Sequence, residues 1–271
     1  NNISIIGNSA LAIPECWACS DDGKGGGIFI AGPDHTNGED NSYTQIVLEN
    51  INIIDNNAIS QGGGIYLRNA VMFGSGLLID GNHSVEGGGI YSMNQDSVEF
   101  NNVILSQNSA EQQGGAIYIE FGSMRLINVD IVGNSISESE NIRGSAIYVE
   151  HLFAPHQKLF LLNSIIWGNA VLNPFTSPIF LLLDNQWDGA VESSVIINYS
   201  NFQNGWVNPA GDMIEGTENI HSDPLFTDPE NRDYTLQDGS PCIDAGTAYL
   251  EWEGEIIVDI PDSSYYGSAP D

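Results

Sequence analysis

Apolar residues along this chain keep no helical beat; they fall in short alternating runs that return in the same columns. Runs such as Val98 to Phe100, Val103 to Leu105 and Ala116 to Ile119 have strand length and are separated by turn residues. Two polar columns mark the period. One holds Asn2, Asn50, Gly76, Asn102, Asn128, Asn163 and Asn198. The other, six residues on, holds Asn8, Asn56, Asn82, Asn108, Asn134, Asn169 and Asn204. Through the middle the spacing is 26 residues, which suits one coil of a solenoid and is too long for a hairpin.

A second signature follows each trailing Asn: Gly25-Gly26-Gly27-Ile28-Phe29, Gly62-Gly63-Gly64-Ile65-Tyr66, Gly87-Gly88-Gly89-Ile90-Tyr91, Gly114-Gly115-Ala116-Ile117-Tyr118 and Gly144-Ser145-Ala146-Ile147-Tyr148. A worn copy is Ser177-Pro178-Ile179-Phe180. The pattern predicts an all-β solenoid of parallel strands, three short strands per coil and about seven coils, over residues 1–205. At about 4.8 Å per coil, this is a rod of roughly 34 Å. Asn suits the corners because it tolerates left-handed backbone and its amide can both donate and accept between coils.

These Gly-Gly-Ala/Gly-Ile and x-x-x-Asn elements resemble those of the chlamydial polymorphic outer-membrane proteins and related adhesin-like families, and the solenoid resembles the right-handed parallel β-helix of secreted bacterial surface proteins. The same scaffold carries adhesins, lyases and hydrolases, so the likeness implies fold and surface display without a reaction.

Charge narrows the partners. Against 36 Asp plus Glu stand six Lys plus Arg, a formal charge of −30, which repels nucleic acid and anionic membrane. Such a surface fits calcium binding, salty surroundings or simply a solvated acidic face with no specific ligand. No secretory signal or transmembrane run is visible. Asn2 to Asn8 already lies within a coil, so the expectation is a piece of a longer protein, or an end that stacks on a second copy. Cys16 and Cys19 form a C-x-x-C that is either a local disulfide or two free thiols; a zinc site lacks ligands, and Cys242 is expected to be a small buried residue.

From about Gly205 the Asn columns stop. Residues 212–271 hold 15 acids and one base, Arg232, and residues 206–271 are expected to pack on the helix or cap it. Ser222-Asp223-Pro224-Leu225-Phe226-Thr227-Asp228-Pro229, Asp233-Tyr234-Thr235-Leu236 and Ser240-Pro241-Cys242-Ile243-Asp244-Ala245-Gly246 resemble the closing segment of the choice-of-anchor group of secreted β-helix proteins. That resemblance implies export and cell-surface display. Asp223, Asp228, Glu230, Asn231 and Asp233 are candidate oxygen ligands for calcium, though no EF-hand or nonapeptide array surrounds them.

If the isoleucine column points inward, alternation turns Phe29, Tyr66, Tyr91, Tyr118, Tyr148 and Phe180 outward. They would form an aromatic ladder for sugar rings or a partner protein on a bare face, or a stabilising stack covered by a loop. Insertions flank this row, and His35, Asp34, His151, His156, Lys158, Trp187 and Asp188 would wall a groove there. The leading function is a secreted or surface binding module; the alternative is a polysaccharide lyase or glycoside hydrolase of the pectin-lyase-like fold, with Arg68, His151 and Lys158 as its candidate residues. Hydrolase chemistry wants paired carboxylates; Asp21 and Asp22 lack the polygalacturonase companions, and Asp80 and Asp130 occupy different columns. His83 and His221 are isolated turn histidines. The seven Thr share no column, which excludes an ice-binding face.

Overall fold

The computed structural model describes residues 3–11, 23–32, 44–137, 144–150, 158–170, 179–182, 194–203 and 213–271. Asn2, the Cys16 and Cys19 pair, Asp21, Asp22, Asp34, His35, His151, His156, Trp187, Asp188 and Asn204 lie outside them. Among the described residues the chain is all-β, with two three-residue 3-10 turns, Pro229–Asn231 and Asp262–Ser264, and no helix long and apolar enough to cross a membrane.

Every repeat pairs in parallel with the next, building one fifteen-stranded sheet that curls into a parallel β-helix. The lead strands stack Ile28, Ile65, Ile90, Ile117, Ile147 and Ile179 in register. The middle strands stack Met72, Val98, Met124, Leu159 and Val195, and the third strands Ile53, Ile79, Leu105, Ile131, Ile166 and Phe202. From Ile65 to Ile147, with Ile28 packed against them, and through the middle and third columns, these residues form one continuous core. Beside the three strands per coil runs a shorter fourth ladder just after the trailing Asn, from Ser9–Ala10 to Ser135–Ile136. Two to five residues long, it lacks the apolar alternation that marks the other three.

The two Asn columns do different work. The leading one turns the corner: Asn50, Asn102, Asn128 and Asn163 have φ of 48–55°, where an L residue other than Asn, Asp or Gly is strained. In the last coil the register places Tyr199, φ 50°, opposite this column, because Asn198 pairs with Leu162; the sequence alignment of Asn198 is therefore one residue early. The trailing column is a buried amide chain. Asn82 donates from its main-chain N and Nδ2 to Asn108 Oδ1 at 3.0 Å each, while Nδ2 also reaches back to Ile53 O. Asn56, Asn108 and Asn134 repeat the pattern one coil at a time. Here the left-handed corner belongs to the preceding residue, Asp55, Gly81, Gln107 or Gly133.

The glycines pack coil on coil. A Cβ on Gly63 would sit 2.4 Å from both Gly88 O and His83 O, so only a residue without a side chain lets these main chains approach.

Parallel pairing continues past the Asn columns, with Met213–Glu215 on Val195–Ile197 and a bridge from Asn201 to Ile220. The chain then doubles back along the flank as two antiparallel hairpins, Phe226–Asp228 with Asp233–Leu236 and Tyr249–Trp252 with Glu255–Asp259. Phe226, Tyr234 and Cys242 pack on Val132 and Ile165. Ile257 and Val258 cover Phe160, Leu162 and Ile196. Arg125 pairs with Glu255, Lys158 with Glu253, and Arg232 with Asp80 at 2.9 Å. The segment thus lies lengthwise on the helix, from the coil of Asp80 to that of Ile196.

Candidate functional site

Two surfaces come from the outward positions. On the lead strands alternation does what the sequence predicts: Phe29, Tyr66, Tyr91, Tyr118 and Tyr148 leave the core and stack, with centroids 5.2, 5.6, 4.6 and 4.9 Å apart. Phe180 pairs with Tyr148 by backbone register. The bare face, however, is not there. Tyr66, Tyr91, Tyr118 and Tyr148 are at most 3% exposed and form their own apolar cluster with Met93 packed against it; Phe29, at one end, is 42% exposed.

The phenols are also chemically closed. Three of them reach the residue two beyond the tyrosine of the following coil: Tyr66 to Met93 Sδ, Tyr91 to Glu120 and Tyr118 to Glu150. Lys24 Nζ stands 3.3 Å from the Tyr66 hydroxyl and 4.9 Å from its ring centre. Burial, then the Glu120 hydrogen bond and charge, push Tyr91 well above the ordinary phenol range. Burial raises Glu86 too, opposed by its hydrogen bond from Gln61 at 2.9 Å and reinforced by Glu150 and Glu120. A sugar ring has no free aromatic face on the four inner members.

The second surface is the flank under the C-terminal segment. There the outward column of the third strands reads Ser4, Asn52, Leu78, Ile104, Asp130, Ile165, Asn201 in register, an acid flanked on both sides by isoleucine in a column with polar ends. Asp130 lies in a cleft of about 640 Å³ between helix and segment. Leucine and isoleucine line it from both sides, through Ile104, Ile165, Leu236 and Ile243. Polar groups come from Asn102, Asn128 and Asn163, whose amides run coil to coil at 3.1–3.3 Å, and from Tyr234, Asp244, Tyr266 and Asp271. Among the described residues no Lys, Arg or His lines it.

Asp130 retains some solvent contact, yet desolvation in the cleft pushes its carboxyl up to about 7. Asp244 moves the other way: hydrogen bonds from the Ala269 and Ser268 main-chain N hold its carboxyl below the usual range. A wider groove of about 770 Å³ lies beside the cleft, with Trp167, Gln107 and Leu225 on its walls. Its charged rim is Asp223, Glu230 and Arg232.

The sequence candidates disperse. Arg68 sits on a lead strand in the register of Met93 and Glu120. Lys158 opens a middle strand three coils on and pairs with Glu253 of the segment; His151 lies outside the described residues. Of the proposed calcium ligands, Asp223, Asp228, Asn231 and Asp233 serve their own turns. Asp223 accepts from Leu225 N, Asp228 from Asn231 N and Nδ2, and Asp233 from Thr235. Among the described residues no set of three or more His, Cys, Asp or Glu gathers as a metal site. His83 faces Ser109 at 2.9 Å, and His221 stands edge-on to Phe202. Cys242 is buried, 3.1 Å from Asn201 Nδ2. Sequence reasoning passed over Asp130 as a site residue; its signal was an acid where neighbouring coils carry Leu78, Ile104 and Ile165.

The Chlamydia polymorphic membrane protein (Chlamydia_PMP) repeat model matches residues 102–120, from the corner Asn102 through the amide-chain Asn108 to the lead strand with Tyr118. No curated protein and no solved structure gave a match. Over that repeat, then, the β-helix is similar to the repeats of polymorphic membrane proteins.

Proposed function

We propose that this chain is an adhesin-like module displayed on a bacterial surface, a rigid β-helix that holds its partner in the cleft between the third strands and the C-terminal segment. Surface display rests on the likeness to the polymorphic membrane protein repeat. One observation carries the choice of surface: the ladder's inner rings are buried, with Tyr66, Tyr91 and Tyr118 hydrogen-bonded, whereas the cleft is open, mixed in polarity and, among the described residues, free of basic ones. With a net charge of −30 around it, the favoured partner is neutral or basic.

Binding of neutral glycans and of basic and acidic peptides to the purified chain tests this. The expected result is retention of a basic or neutral ligand, lost in Ile243→Trp, which fills the cleft, and kept in Tyr91→Phe. Loss in Tyr91→Phe alone would return the partner to the ladder.

A second reading, glycoside hydrolysis, has one observation in its favour: Asp130 and Asp244 line one cleft with carboxyl groups displaced in opposite directions, as an acid and a carboxylate partner require. New reducing ends from a neutral polysaccharide, abolished by Asp130→Asn, would establish it.

A further inference from the structure

We propose that the cleft receives a protonated alkylamine, the group at the end of a lysine side chain, with its ammonium on the Asp130 carboxylate and its carbon stem along Ile104, Ile165, Leu236 and Ile243. This rests on the reading that the cleft is where the partner is held.

The first argument is that nothing in the fold asks for an acid at Asp130. Its register neighbours Ile104 and Ile165 show what the position takes when packing alone decides, and both contribute to the apolar seam beneath the C-terminal segment. An acid here gives up that packing and is desolvated as well.

The second argument is a contrast in partners. The other buried or half-buried carboxylates on the outer surface are answered within the chain. Asp80 has Ser106 Oγ at 2.7 Å and Arg232. Glu86 has Gln61, and Glu120 and Glu150 have the phenols of Tyr91 and Tyr118. Asp130 has no hydrogen bond or ion pair with any described residue, and its carboxyl is raised by burial with nothing opposing it. The titratable groups around it are Tyr234, Cys242, Asp244, Tyr266 and Asp271. None supplies positive charge, and Asp244 takes two main-chain N–H groups on its Oδ1.

Third, the shape of the chemistry selects the ligand. A carboxylate between aliphatic walls suits a side chain with an apolar stem and a charged tip, since lysine lays its methylenes along apolar surface and ends in a compact ammonium. An acidic floor with the same walls is how a protease specificity pocket selects a basic side chain. Anionic ligands would meet Asp244 and Asp271 as well as Asp130. An ammonium within about 4 Å favours the charged carboxylate and offsets the burial that raises it.

Binding therefore follows the ionisation of Asp130. Lysine stays charged through this range, so between pH 6 and pH 8 affinity should rise about tenfold, as a carboxyl titrating near 7 goes from mostly neutral to mostly ionised.

The test is calorimetric titration of the whole chain with Nα-acetyl-lysine amide, with its uncharged analogue Nα-acetyl-norleucine amide, with n-butylamine and with spermidine. The expected result is binding of the lysine amide and no binding of norleucine, the tenfold rise with pH, and loss of both affinity and pH dependence in Asp130→Asn. Asp130→Glu should keep the pH dependence at lower affinity, which separates loss of charge from loss of fold. Butylamine binding as well as the lysine amide marks a general alkylammonium site; the lysine amide alone marks a peptide partner; preference for spermidine marks a free polyamine. Equal binding of lysine and norleucine amides, no amine binding at pH 8, or unchanged binding in Asp130→Asn would overturn the proposal. If amines fail while another ligand is lost in Ile243→Trp, the cleft remains the binding surface and only the ligand class falls. If Ile243→Trp changes nothing either, both fall.

Discussion

The lead-strand face and the third-strand flank are built by the same alternation, and both turn side chains away from the core, yet they end in opposite states. On the lead strands, each described tyrosine stacks on its neighbours, Tyr91 and Tyr118 donate to a glutamate of the next coil, and the inner rings are buried. On the flank, one acid stands between two isoleucines with no partner among the described residues, over an open cleft. A row of aromatic residues in register is thus a poor sign of a binding surface by itself; a polar group that the fold leaves unanswered is a better one. The ladder is architecture because its polarity is consumed within the chain.

Breaking the closed side should have the largest effect. Tyr91→Ala removes a buried ring that stacks on Tyr66 and Tyr118 and leaves Glu120 without its phenol donor. Loss of a buried aromatic costs about 3–5 kcal/mol. Urea denaturation should show a fall of that size with an unchanged slope, while ligand retention by the folded protein stays intact. A fall under about 1 kcal/mol would mean that the ring contributes little packing and that the face is open after all.

The flank should respond with the opposite sign. Asp130 has a carboxyl raised to about 7, above its ordinary value near 3.8, so the folded state favours the protonated form. The stability associated with it is fully present below about pH 4 and is lost as pH rises through 7. Asp130→Asn removes that loss. The variant should match the parent near pH 4 and exceed it at pH 8 by on the order of 1–3 kcal/mol, discounted for the solvent that still reaches the carboxyl. A parent whose stability does not fall between pH 5 and pH 8 relative to the variant would show Asp130 to be ionised at ordinary cost. Gained stability with lost amine binding would be the trade expected of a functional group.

How much of this was readable beforehand follows from the range over which each feature is determined. The coil is local: a strand, a left-handed corner and a buried amide recur within 26 residues, so Asn56, Asn82, Asn108 and Asn134 announced the period without any knowledge of contacts. The outward direction of the tyrosines is local as well, being set by alternation from the buried isoleucines. Their burial is not, because a strand pattern says which way a side chain points and nothing of what lies over it. The short fourth ladder escaped because Ser109 to Gln113 have no apolar alternation, and the last coil slipped by one residue because unequal insertions hide the register between Leu162 and Asn198. The cleft was out of reach for a different reason. Asp130 and Asp244 are brought to one cavity by a segment that returns over coils folded a hundred residues earlier, and no periodicity encodes that docking. Only the acid itself, set between Ile104 and Ile165 in its column, was on view.

The docking of that segment supplies the finest test of the comparison, because it forms the cleft's outer wall. Arg232, the segment's one base, sits in left-handed backbone with φ 67° at the end of the Pro229–Asn231 turn and carries its guanidinium to Asp80 on the coil beneath. Asp80 is fully buried, takes a hydrogen bond from Ser106 on one oxygen, and meets Arg232 on the other as a charge contact without an aligned hydrogen bond. Burial raises its carboxyl despite both partners, with Asp55 adding to the rise. Arg232→Gln removes the compensating charge, so Asp80 should protonate more readily still. Since Arg232 is half-exposed, the cost should be roughly 1 kcal/mol rather than the several expected when a fully buried pair is broken. By the sign of the shift that cost grows as pH rises and shrinks toward acid, where Asp80 is neutral in either protein. Urea denaturation at pH 5 and pH 8 reads it directly. Protease nicking near Asp228–Asp233 should quicken in the variant at pH 8 and amine affinity should drop severalfold as the wall loosens, whereas the tyrosine ladder on the lead strands should keep its near-ultraviolet signal. Equal loss of that signal would mean that segment and ladder unfold together, and that the two faces are one cooperative unit rather than a closed wall and an open one.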